Sequence, residues 1–228
     1  MSPQPTTLVG IPMFKSLKRA DIEALDARCD WRRVAAKEWV IDYQDDGSDV
    51  FFVVSGAVRV LIYAKSGREV ILADLVGGGF FGEMAPLDGH SRSASVLAVA
   101  DAVVATMPGT LFLEVLNSHP SVSMFVMKHL AARVRQLDNR VLEFSTLDVW
   151  HRVSCELLRL ARPDPTDARR GVLSPAPTQA EIAARVSTSR EAVVREMKSL
   201  EREGFLQRQR DGLVLTDVPR LVQRLETD

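Results

Sequence analysis

The spacing of hydrophobic positions changes twice along the chain, and each change marks a new kind of element. In the first thirty residues Leu17, Ile22 and Leu25 recur among polar neighbours, which predicts a short helix. From Trp31 to about Met107 the apolar positions fall in short runs, at 51–54, 58–63 with partial alternation, 70–73 and 102–105. Turn residues separate them at Asp45-Asp46-Gly47, Ser55-Gly56, Lys65-Ser66-Gly67, Gly77-Gly78-Gly79 and Asp88-Gly89. Turn signals about every 8–12 residues predict an antiparallel sandwich or barrel.

Beyond Pro108 the pattern turns helical, is broken once at Pro120, and then predicts a long helix over 122–144. Its apolar residues Met127, Leu130, Val134, Leu137, Val141 and Phe144 follow one another at intervals of 3, 4, 3, 4 and 3. That heptad stripe reads as a seam between two such helices, or as an amphipathic helix lying on its own domain. Residues 145–148 read as a hinge, with Asp148 placed to cap a helix whose inner face is Val153, Leu157 and Leu160. Residues 162–171 read as a loop, and Pro175 and Pro177 close the next connection.

Thr178 and Glu181 have capping-box spacing and start a helix with Ile182 and Val186 inward and small Ala183 free to meet a crossing helix. Ser187-Thr188-Ser189 breaks it. A second helix follows over 190–203, with Val193, Met197 and Leu200 inward and Arg190, Glu191, Val194, Arg195 and Lys198 outward. Gly204 ends it, and Phe205-Leu206 and 212–215 supply two strands of a wing. Two helices across a tight turn make a helix-turn-helix, against the plainer reading of a helical hairpin with a charged solvent face. On such a motif Arg190 and Arg195 can each pair bidentately with guanine and Glu191 can accept from a cytosine amino group. Gln179, Ser189 and Lys198 suit phosphates, which position without specifying.

The stretch 77–94 fits no single element. It holds three consecutive glycines, a Gly82-Glu83 pair and an Arg92-Ser93-Ala94 run. Glycine allows close backbone approach. A carboxylate and a guanidinium nine residues apart offer an acceptor for hydroxyls and a cation for an anion. One reading is a pocket for a phosphorylated sugar; the other is a Gly-rich turn with a surface ion pair.

Composition narrows these readings. Hydrophobic residues are 46% and charged residues 26% of 228, the balance of a globular chain. The N-terminal residues lack the basic-then-apolar order of a signal peptide, no apolar run approaches the ~20 residues that span a bilayer, and two distant cysteines indicate no disulfide framework. The expectation is a cytoplasmic protein without membrane contact. Net charge is −1, yet residues 1–149 carry −3 and residues 150–228 carry +2, compatible with a C-terminal domain that clusters its basic groups on one face. Cys29, Cys155 and the four histidines show no metal-ligand spacing, so no metal is expected, and no catalytic constellation is found.

Taken together, the chain resembles the CRP/FNR superfamily of transcription regulators over essentially its whole length. Residues 81–85 with Arg92-Ser93-Ala94 look like that family's phosphate-binding cassette. Residues 178–183, with Ser189, Arg190, Glu191 and Arg195, look like its DNA-binding motif, close to the cyclic-AMP receptor proteins. The resemblance implies an α+β fold: a cyclic-nucleotide-binding, jelly-roll-like β-roll over 1–120, a dimerisation helix and hinge over 121–147, and a winged helix-turn-helix over 148–228. It implies a non-enzymatic homodimer, joined through helix 122–144, that binds a TGTGA-type palindrome of double-stranded DNA, with RNA polymerase as a candidate partner. Arg92 and Ser93, with backbone N–H groups over 82–85 (Gly82, Glu83, Met84 and Ala85) and with Ala94, would hold the cyclic phosphate. Glu83 would accept from the ribose hydroxyl, and Arg133 would lie at the pocket. Where cyclic-AMP receptors often carry a Thr-Ser pair on the long helix, this chain has Leu137-Asp138 and then Asn139. Asp138 suits a donor edge, so cyclic GMP stands beside cyclic AMP as effector. A regulator answering to another effector or to none, and a nucleotide-binding module acting on a protein partner, are the alternatives.

Overall fold

The computed structural model describes residues 7–227, which leaves the six N-terminal residues, and the signal-peptide reading that falls on them, outside the described part. The chain divides into two compact units, one running to Val134 and one starting at Arg135.

The first unit opens with two short 3-10 turns and the helix Arg19–Asp26 (α1), which buries Ile22 and Leu25 as the pattern predicts. Six strands follow: Asp30–Val34 (β1), Trp39–Ile41 (β2), Val50–Tyr63 (β3), Glu69–Val76 (β4), Phe80–Phe81 (β5) and Ser95–Met107 (β6). All pair antiparallel in one sheet of order β1-β6-β3-β4, with β2 on β6 and β5 on β3. The two long strands are the frame. Val34, Val53, Val58, Val60, Phe81, Val96, Ala98 and Val104 bury one face of the sheet together. Phe52, Phe80, Ala105 and Met107 pack with the N-terminal turns, Phe112 and Val126 in a second core.

Two turn signals are corrected. Ser55-Gly56 does not separate strands; it sits inside the fourteen-residue β3, where the register with β6 shifts. Gly56 has φ +81, and a Cβ there would lie 2.2 Å from the Asp101 carbonyl oxygen, so the glycine permits a local bulge rather than a turn. Asp88-Gly89 is likewise no β-turn: 84–88 coil into the short helix Met84–Asp88 (α2), which Gly89 ends in the left-handed conformation.

Gly109–Ser118 (α3) and Pro120–Thr146 (α4) follow, with Pro120 opening α4 rather than interrupting it. Along α4, Val122 and Val126 are buried. Met127, Val134, Leu137, Val141 and Phe144 are 40–65% exposed, and Leu130 is partly buried. The stripe therefore does not lie on its own domain.

In the second unit Asp148 caps Val149–Leu160 (α5), accepting from the His151 N–H at 2.9 Å. The segment 162–171 is not wholly a loop, since Arg162–Pro163 (β7) pairs with Gly171–Leu173 (β8). Then come Gln179–Val186 (α6), Arg190–Arg202 (α7), the strands Leu206–Gln209 (β9) and Gly212–Leu215 (β10), and Val218–Thr227 (α8), a helix the sequence pattern does not announce. The sheet order is β7-β8-β10-β9. Leu157, Ile182, Val193, Met197, Leu200, Leu213 and Leu221 form the core of this unit. Among the described residues no helix is long and apolar enough to cross a membrane.

Candidate functional site

The stretch 77–94 builds a cleft against the sheet. About 470 Å3 of space, partly open to solvent, is lined by Ile41, Val60, Leu72, Phe81 and Val96, by 82–85, by 92–94 and by Arg133 of α4. The mix of apolar walls with a few polar groups is the usual chemistry of ligand sites. Val60 and Val96 are cross-strand partners on β3 and β6, so the long strands supply the floor. The polar groups come from the loop and turn around β5 and α2.

Arg92 is 5% exposed and fixed by two backbone acceptors, donating to the Gly82 carbonyl at 2.9 Å and the Asp49 carbonyl at 2.8 Å. Its guanidinium also stacks 5.5 Å from the Phe51 ring centroid. Burial pushes its pKa down, opposed by Asp49, Asp45 and Glu83. Gly82 makes this seat: its φ is +83, and a Cβ there would come within 2.8 Å of the Arg92 guanidinium.

Glu83 is 3% exposed and has no hydrogen bond or ion pair among the described residues. A surface ion pair with Arg92 is thereby ruled out, because both groups are buried and no bridge joins them. Glu83 belongs to the cleft lining, and its carboxylate can accept hydrogen bonds there. Glu83 precedes α2 without capping it, so the first N–H groups of α2, at Met84 and Ala85, also lack intrahelical acceptors. Ser93 is exposed at the rim, its hydroxyl 3.7 Å from the Met84 sulfur, and Ala94 is buried in the wall. The lining ends at Arg133. Asp138 and Asn139 are exposed further along α4 and do not line the cleft.

Sequence reasoning missed the apolar walls and His129. The His129 ring lies 4.6 Å from that of Phe80, and its Nε2 is buried without a partner. The alternation of Val58, Val60 and Val96 was the available signal for the walls.

In the second unit α6 starts with a full capping box between Thr178 and Glu181, as the spacing predicts. Its turn passes through Ser187 at φ +55, and Ser189 caps α7, accepting from the Ala192 N–H at 3.2 Å. Thr178 and Ser189 thus use their hydroxyls to hold helix ends. Arg190, Glu191, Arg195 and Lys198 are exposed on one face of α7, with Gln179 half-buried on α6. Arg195 pairs with Glu196 at 2.9 Å while its side chain stays 70% exposed, a contact that binding readily exchanges. Arg208 on β9 and Arg210 at the wing turn add exposed basic groups that the sequence reading did not name. Among the described residues no group of three or more His, Cys, Asp or Glu side chains is arranged to hold a metal ion.

Both halves have known counterparts. The model of the cyclic nucleotide-binding domain family matches residues 31–119, and that of the Crp-like helix-turn-helix domain matches 151–224. The cAMP-activated global transcriptional regulator Vfr of Pseudomonas aeruginosa is 32% identical over 203 residues, covering 87% of this chain and 94% of Vfr. The cAMP-activated regulator CRP of Haemophilus influenzae is 29% identical over 179 residues, covering 78% of this chain and 80% of its own length. Among solved structures, the c-di-GMP-responsive regulator CLP of Xanthomonas campestris superposes with a TM-score of 0.75 at 21% identity, covering 87% of this chain and 99% of CLP, a likeness of fold.

Proposed function

The chain belongs to the CRP/FNR family of transcription regulators, and we propose that it is a homodimeric regulator whose DNA binding is governed by a cyclic nucleotide held in the β-sheet unit. The observation that carries this reading is Glu83, a buried carboxyl group without a partner beside a buried, backbone-anchored Arg92. A cyclic nucleotide brings an anionic phosphate and a ribose hydroxyl, the two groups this pair lacks. Arg92, Ser93 and the backbone N–H groups of 82–85 would hold the phosphate, Glu83 would accept from the hydroxyl, and the apolar walls with Arg133 would take the rest. Relatives activated by cyclic AMP favour that effector, with cyclic GMP as the second candidate.

The second unit would read a TGTGA-type palindrome through the exposed face of α7, with half-sites about one helical turn, roughly 34 Å, apart. RNA polymerase would be the next partner, and the cytoplasm the site of action. The exposed stripe on α4 would pair with that of a second copy.

Calorimetric titration with cyclic AMP and with cyclic GMP tests the pocket. Wild type should bind one of them, and Glu83→Gln, which keeps the shape and removes the anionic acceptor, should bind it at least about 10-fold more weakly, the worth of a charged hydrogen bond. No binding of either nucleotide would sink the reading. For the DNA half, a gel shift with a TGTGA palindrome should be weakened by Arg195→Ala by about 1–3 kcal/mol, with specificity relaxed at one guanine. A loss equal on all sequences would make Arg195 a phosphate contact.

A further inference from the structure

The last carbonyls of α6 lack intrahelical donors, as at any helix end. Two of them are met by guanidinium groups from other elements. Arg140 of α4 donates to the Arg185 carbonyl, and Arg152 of α5 donates to the Val186 carbonyl at 2.9 Å. These carbonyls immediately precede Ser187, where the left-handed φ of +55 swings the chain toward the N-cap of α7.

Behind them lies a buried charge cluster. Glu156 of α5 is 3% exposed and draws three guanidinium groups: Arg159 at 2.8 Å, Arg185 of α6 at 3.6 Å and Arg140 at 3.9 Å. Glu143, one turn beyond Arg140 on α4, also pairs with Arg159. Such a cluster is a poor way to gain stability, because desolvating its charges offsets most of the attraction. Its geometry is demanding, however: planar guanidinium forks hold α4, α5 and α6 in one relative pose. Arg140 joins the cluster to one of those two carbonyls. It lies seven residues, about two turns, after Arg133, which lines the cleft.

We propose that Arg140 is a positioning residue that couples the pose of the long helix to the helix-turn-helix turn, so that effector binding at the cleft is read out as the setting of α7. This rests on the effector reading of the cleft. Arg152, the other group on those α6 carbonyls, belongs to α5 and meets α4 through its guanidinium, 5.7 Å from the Phe144 ring centroid, whereas Arg140 sits on α4 itself.

The test measures anisotropy of a labelled palindromic duplex against wild type, Arg140→Ala and Arg140→Lys, each with and without saturating cyclic AMP or cyclic GMP. Calorimetry gives nucleotide affinity and thermal melting reports folding. Wild type should gain DNA affinity on nucleotide binding by a factor in the usual range of about 5–150. Arg140→Ala should keep its nucleotide affinity within about 2-fold, yet its gain should fall below about 2-fold. Arg140→Lys, which keeps the charge but not the fork, should restore it only in part. If Arg140→Ala fails to fold, Arg140→Lys decides: a full wild-type gain overturns the coupling. So does a variant that loses DNA affinity equally with and without nucleotide, since that is the mark of a merely structural contact. A wild type that binds nucleotide but is indifferent to it on DNA overturns the coupling and the nucleotide control of DNA binding, and leaves the pocket reading standing. One that binds neither nucleotide overturns the pocket reading and the coupling with it.

Discussion

At the scale of single residues, the cleft is defined by two buried charges that do not meet. Arg92 is met by the Gly82 and Asp49 carbonyls, and Glu83 is left without a hydrogen bond or ion pair among the described residues, the arrangement on which the proposed effector site rests. His129 beside them is half-buried, with its Nε2 buried and unpartnered. Burial lowers its pKa, Glu83 acts in the opposite direction and Arg133 adds to the lowering, so the fold favours the neutral imidazole. An unfolded imidazole titrates near 6.5. Because the folded value lies below that, the stability linked to His129 is present above about pH 6.5 and is lost as pH falls through the folded pKa. The melting temperature of the nucleotide-free protein should therefore drop between pH 7.5 and 5.5, and His129→Phe should flatten that drop. Equal slopes for the two proteins would show that other groups carry it. At this scale the sequence was legible where residue type implied chemistry, as with Glu83, Arg92 and Arg190. It was mute on His129, whose meaning comes from Phe80, a residue far away in the chain but 4.6 Å away in space.

At the scale of elements, the long strands β3 and β6 decide how the first unit closes. Each is longer than the turn signals imply, because bulges let one strand bend without ending. Gly56 is the pivot of that bend. Gly56→Ala should cost at least about 2–3 kcal/mol, combining a left-handed backbone with a Cβ driven into the Asp101 carbonyl. Urea denaturation should show the midpoint falling while the slope is kept; a loss under about 1 kcal/mol would mean the bulge relaxes freely. The error in reading Ser55-Gly56 as a turn has a physical source. A glycine with positive φ serves turns and bulges equally, and only the pairing partner across the sheet distinguishes them. Helices fared better, since capping boxes, prolines and apolar spacing are local signals: α6, α7 and the start of α5 lie where the pattern places them.

At the scale of the whole molecule, the exposed apolar stripe on α4 is a surface that the single chain leaves uncovered. Met127, Val134, Leu137 and Val141 are 50–65% exposed at heptad spacing, an arrangement that a solvated helix has no reason to keep. Scattered apolar residues would need no partner, whereas in the proposed dimer a second copy of the same helix would cover this seam with a self-complementary one. A palindromic site for α7 demands the same two-fold symmetry, so dimer and DNA readout stand or fall together. Val134→Glu and Leu137→Glu, separately, would set like charges face to face across the seam, in positions exposed enough that a single chain tolerates them. Light scattering after size exclusion should give twice the chain mass for wild type and a lower, concentration-dependent mass for either variant, with melting of each unit little changed. Affinity for a full palindrome should then fall to that for a single half-site. A wild type that is monomeric at micromolar concentration would leave the stripe without a partner and remove the basis for palindrome recognition. If the variants stayed dimeric, the two-fold would have to run through a different surface, and the heptad would no longer explain the spacing of the half-sites.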